Sequence, residues 1–115
     1  MNTLRNHVQL IGNLGNDVEM TQFDSGSKMA RLTLATNEFY KNNKGEKVKE
    51  TQWHTIVAWG KLAENMEKFL SKGVEVAVNG QLRYRTFEGK DGKKRTVSEV
   101  VAQDFLKISK KELPF

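Results

Sequence analysis

The chain has 115 residues, room for one domain with a single modest core. It carries 19 Lys and Arg against 14 Asp and Glu, a net charge of +5, and no cysteine. Disulfides, thiolate metal sites and cysteine nucleophiles are excluded, and no apolar run is long enough for a bilayer span or a secretory signal. A soluble cytoplasmic domain is expected. Its basic surplus suits a polyanionic partner, but equally a well-solvated surface.

Residues 7–15, "HVQLIGNLG", read as a first strand with Val8 and Leu10 on one face and glycines permitting a bend or bulge. "FDSGSK" is a turn cluster. "MARLTLATN" then alternates, with Ala30, Leu32 and Leu34 inward and Arg31 and Thr33 outward. The polar, lysine-rich "KNNKGEKVKE" is a hairpin tip leading into "TQWHTIVAWG". As a strand, that stretch puts Trp53, Thr55, Val57 and Trp59 on one face and His54, Ile56 and Ala58 on the other. The two indoles then stand about 20 Å apart.

After Gly60 the period changes. Leu62, Met66, Phe69 and Leu70 recur at helical spacing, Gly73 stands at the expected left-handed cap, and Lys68 and Lys72 complement the helix dipole. "VEVAVNGQLRYRTF" returns to alternation, with Val74, Val76, Val78, Leu82 and Tyr84 opposite Gln81, Arg83, Arg85 and Phe87. Asp91-Gly92 predicts a two-residue hairpin turn, and "TVSEVVAQDFLKIS" is the returning strand. Three strands, one helix between the third and fourth, and two further strands make an all-β chain with one helix. That is the order of a five-stranded Greek-key barrel, the OB-fold.

A small barrel takes Ile56 and Ala58 inside more readily than two indoles, which sends Trp53 and Trp59 outward. The alternative keeps Trp59, next to the helix start, partly in the core. Arg83, Arg85 and Phe87 alternate on the other outward face, and residues 83–95 carry six positive and two negative charges. Residues 41–49 hold four lysines and one acid, Glu46. Rings interleaved with cations on an exposed sheet suit an unpaired polynucleotide, because every base offers a π-face and every linkage a charge. No phosphate-binding loop, zinc-protease motif or cluster of imidazoles points to catalysis, a metal or a cofactor.

The segments "VQLIGNLGNDVE", "LTLATNE", "TQWHTIVAWGKLAE", "LSKGVEVAVNGQLRYR" and "VSEVVAQ" resemble, in order, the bacterial single-stranded DNA-binding protein family across residues 4–108. The resemblance implies a non-catalytic OB-fold that coats single-stranded DNA in replication, recombination and repair, as a homotetramer. It places stacking rings at Tyr40, Trp53, Trp59 and Phe87 and basic contacts at Lys61 and Lys72. The pattern itself adds Arg83, Arg85, Lys94 and Arg95. Strand parity favours Phe39 over Tyr40 as the outward ring, and both stay open. Thr55 stands where many members have arginine. The resemblance puts His54 at a subunit interface. Residues 1–109 are expected to form the domain, with 110–115 a short tail. Its Leu113, Pro114 and Phe115 match the ending that docks replication and repair enzymes in the family, although Lys110 and Lys111 precede them and only Glu112 is acidic nearby. A primosomal-type scaffold of the same fold, bridging replication proteins and DNA, is the alternative.

Overall fold

The computed structural model describes residues 4–108. In chain order it contains β1 (Val8–Leu14), β2 (Glu19–Gln22), β3 (Lys28–Lys41), β4 (Lys47–Trp59), α1 (Gly60–Phe69), β5 (Glu75–Glu88) and β6 (Lys94–Lys107). The strands run in the order β1-β5-β6-β4-β3, and β1 also pairs with β3, so five strands close into a barrel. Closure rests on two short contacts. Asn13 and Leu14 pair antiparallel with Ala35 and Leu34, and Ile56 and Val57 run parallel to Val100 and Val101. The expected five-stranded barrel with its helix between the third and fourth barrel strands is present. The sequence reading missed β2, a four-residue strand that pairs with the start of β3 outside the barrel.

Alternation sets the interior. Ala30, Leu32, Leu34, Ile56, Ala58, Val76 and Val78 are buried from the strands, and Val100 and Ala102 complete the wall. Val8 and Leu10 pack against this core while half-buried. The helix adds Ala63, Met66 and Leu70. It is shorter than the apolar spacing suggested. Leu70 leaves the helical conformation and caps it, donating its N–H to the Met66 carbonyl. Gly73 is left-handed at φ 91°, but it serves a following turn in which Val74 donates to Ser71. Phe69 therefore ends the helix facing solvent, with the Lys68 ammonium over its ring.

All three β-hairpins are built alike. Phe23, Asn42 and Gly89 each donate an N–H to the carbonyl four residues on, at Ser27, Glu46 and Lys93. Each also accepts one from the glycine three residues on, at Gly26, Gly45 and Gly92. Those glycines have φ of 93°, 78° and 81°, the left-handed state that completes a type I turn with a one-residue bulge. Asp91-Gly92 is thus the end of this longer turn and not a two-residue loop; the Asp91 carboxylate accepts the Lys93 N–H inside it.

Candidate nucleic-acid interface

The outer face of β4 carries Trp53, Thr55, Val57 and Trp59, and their register partners on β3 are Ala35, Thr33, Arg31 and Met29. Because Val57 runs beside Val101, this face continues onto β6 and then β5. There Arg83, Arg85 and Phe87 pair with Glu99, Val97 and Arg95. Both indoles lie outside the core, Trp53 63 % and Trp59 41 % exposed. Trp59 is not partly core; what covers it is Phe23 from the β2–β3 turn, with ring centroids 5.8 Å apart and planes 23° from parallel. Val57 between the indoles is nevertheless 1 % exposed, since arginines and Trp59 border the cavity above it.

Gly15 is the reason Trp53 can lie flat here. A Cβ at Gly15 would stand 2.4 Å from Cζ3 of the Trp53 ring. Asn16, next along the chain, anchors this loop by accepting the backbone and hydroxyl hydrogens of Thr33 at 3.0 and 2.8 Å. Gly15→Val is expected to swing the exposed indole off its seat while the barrel stays folded. The loss should be about 1–3 kcal/mol of affinity for a stacked base, read as weaker oligonucleotide binding at an unchanged melting midpoint.

The cations divide into held and free. The Nε of Arg85 lies 3.4 Å from Oε1 of Glu99, whose side chain is 3 % exposed, and its guanidinium also covers the Phe87 ring. Arg83 makes no ion pair among the described residues and is exposed. The two should separate on mutation. Arg85→Ala leaves a buried carboxylate without its partner and is expected to cost about 1–3 kcal/mol of stability as well as affinity. Arg83→Ala should cost affinity alone, a difference that thermal melts beside binding titrations resolve.

The remaining expected contacts do not all share this face. Arg95, on it beside Phe87, is held by Asp91 at 2.8 Å, whereas Lys94, exposed at the start of β6 and paired with Glu88, alternates to the opposite face. Lys61 is exposed just after Gly60, and the backbone N–H of Lys72 donates to Asp17, which ties its loop to the one bearing Gly15. Tyr40 also departs from the face. The β3–β4 register runs without a shift from Met29↔Trp59 to Lys41↔Lys47, which puts Phe39 on the tryptophan face and Tyr40 on the opposite one. The Lys47 ammonium sits over Phe39. His54 also faces away from the tryptophans, half-buried, with Nε2 2.9 Å from the Thr36 hydroxyl. The tail residues Leu113, Pro114 and Phe115 lie outside the described residues. Sequence reading gave no role to Phe23, hidden in a turn cluster, or to the buried Glu99.

No cluster of His, Asp and Glu among the described residues has the geometry of a metal site, and no described helix is long and apolar enough to cross a membrane. The profile of the Single-strand binding protein family matches residues 5–108. The chain belongs to that family. Single-stranded DNA-binding protein 1 of Chlorobaculum tepidum is 41 % identical over 93 % of the chain, which spans 67 % of that relative. The single-stranded DNA-binding protein of Xanthomonas campestris pv. campestris is 38 % identical over 86 % of the chain and 58 % of its own length. Among solved structures, the Plasmodium falciparum SSB in complex with ssDNA superposes with a TM-score of 0.82 at 29 % identity, covering 90 % of this chain and 95 % of that one. The family's OB-fold is the barrel described above.

Proposed function

We propose that the chain binds and coats single-stranded DNA without catalysis and largely without regard to sequence, serving replication, recombination and repair in the cytoplasm. The observation that carries this is the position of the indoles. Trp53 and Trp59 lie outside the core on a sheet face they share with Arg83, Arg85 and Phe87. Bases lie flat on the rings, and phosphates meet the arginines together with Lys61, Lys72 and Arg95. Duplex DNA hides its base faces, so a stacking surface selects unpaired strands.

Titration with oligo-thymidine tests this reading. Tryptophan emission should be quenched as bases stack, and affinity should fall with salt at a log–log slope near −0.7 per phosphate neutralised. Tight binding to duplex with no quenching would remove the stacking surface as the cause.

The working unit is a homotetramer in this reading. His54 and Tyr40 face the side away from the DNA, where Tyr84 and Leu82 leave apolar surface exposed that a second subunit would cover. His54→Lys puts a charge there and removes the bond to Thr36, so light scattering at low micromolar concentration should show smaller particles. An unchanged mass rejects the interface. Leu113, Pro114 and Phe115 are the segment through which replication and repair enzymes would dock.

A further inference from the structure

We propose that Phe23 and Arg31 complete a nucleotide subsite at the β2–β3 end of the face, with a base on the Phe23–Trp59 pair and the next phosphate on Arg31. This rests on the single-strand reading of the face and adds two residues to it.

Two cavities open along the face. One, of about 210 Å³, is bordered by the rings of Phe23 and Trp59 and by Arg31, Arg83 and Arg85. Its neighbour, of about 270 Å³, is bordered by Phe87 and Thr55 and again by Arg31 and Arg85. Arg31 thus stands where a strand passing from the Trp59 ring to the Phe87 ring must place a phosphate. Its Nε is buried and has no hydrogen-bond partner among the described residues; Oε2 of Glu99, which borders both cavities, is likewise unpartnered. Arg85, the other cation common to both cavities, is already engaged by Glu99. Arg31 is therefore the better placed of the two to take a phosphate without giving up an ion pair.

Phe23 reaches the face by the hairpin turn, not by strand alternation. Its near-parallel ring, 41 % exposed, stacks on Trp59 and braces that indole. A base added there extends a stack of two rings already in place. The row of aromatic positions gains a member in the β2–β3 turn, beside the one strand that lies outside the barrel.

The test uses the full chain and oligo-thymidine, with binding measured over a range of salt concentrations. Arg31→Met keeps the aliphatic stem that packs on the sheet and removes the charge. It should lower the magnitude of the salt slope by about 0.7. Thr55 borders the same cavity as Arg31, one diagonal step away across the β3–β4 pair. The double variant R31M/T55R should therefore regain the slope. Phe23→Leu keeps an apolar side chain without a π-face and should weaken binding by about five- to 150-fold while the melting midpoint holds. An unchanged slope in R31M, a loss that T55R does not recover, or an unchanged affinity in F23L overturns the subsite. Wild-type chain that fails to quench with oligo-thymidine overturns the reading beneath it instead, so the two failures are told apart.

Discussion

Replacing Trp53 and Trp59 together by alanine should lower the affinity for oligo-thymidine by about 2–6 kcal/mol, the loss of two base stacks. That is roughly thirtyfold to twenty-thousandfold. The size follows from where the rings lie. Trp53 is 63 % exposed and rests on Gly15, so its removal takes nothing from the core. Trp59 is 41 % exposed and its ring partner is Phe23, itself on the surface; losing that pair costs the fold only about 0.5–1.5 kcal/mol. Stability and affinity should therefore part company in this variant, with a near-normal melt and a large binding defect. With both indoles gone, anisotropy of a labelled oligonucleotide replaces fluorescence quenching as the readout. Affinity within twofold of wild type would mean that the electrostatic contacts alone hold the strand, and the stacking account would fall.

Period-two alternation carried most of the fold and the two main rings of the site. It placed Leu32, Leu34, Ile56, Val76 and Val78 inside because a closed barrel leaves no other home for a continuous apolar face. It sent Trp53 and Trp59 out for the same reason, and it pointed to Phe39 over Tyr40, a preference that the unshifted β3–β4 register supports as a matter of facing. Alternation could not speak for residues outside a strand. Phe23 sits in a turn whose composition signals only that the chain reverses, and its stack on Trp59 exists because β2 pairs with β3 alongside the end of β4. Nor could it show that Glu99, an acid on a returning strand, is buried and engages Arg85, since that pair joins residues 14 positions apart on different strands. The helix was overextended because spacing counts apolar residues and cannot see Leu70 change conformation to cap it.

Gly12→Val should undo barrel closure and with it both stability and DNA binding. Gly12 lies on β1 opposite Val76 of β5, one residue before Asn13, which is paired both with Glu75 of β5 and with Ala35 of β3. At that crossing the chain must leave one neighbour for another, and the backbones come very close. A Cβ on Gly12 would stand 2.1 Å from the Ala35 carbonyl oxygen and 2.9 Å from its carbonyl carbon. Both are backbone atoms of a strand fixed by its pairing with β4, so no side-chain rotation relieves the clash. Gly12 has no positive φ, so the penalty is steric rather than conformational. Overpacking between side chains costs about 1–3 kcal/mol; a clash against backbone that cannot move aside should reach or exceed the top of that range. Domains of this size hold only about 5–15 kcal/mol in total, and each kcal/mol lost lowers the melting midpoint by several degrees. A fall of more than about 10 °C in the thermal midpoint is expected for Gly12→Val, with Gly12→Ala close to it because the Cβ alone makes the contact. Oligonucleotide binding should be lost in proportion to the unfolded fraction and regained on cooling, unlike the defect of the tryptophan variant, which persists in the folded protein. A melt within a few degrees of wild type would show that β1 can shift away from Ala35 without opening the barrel, and that closure does not depend on this approach.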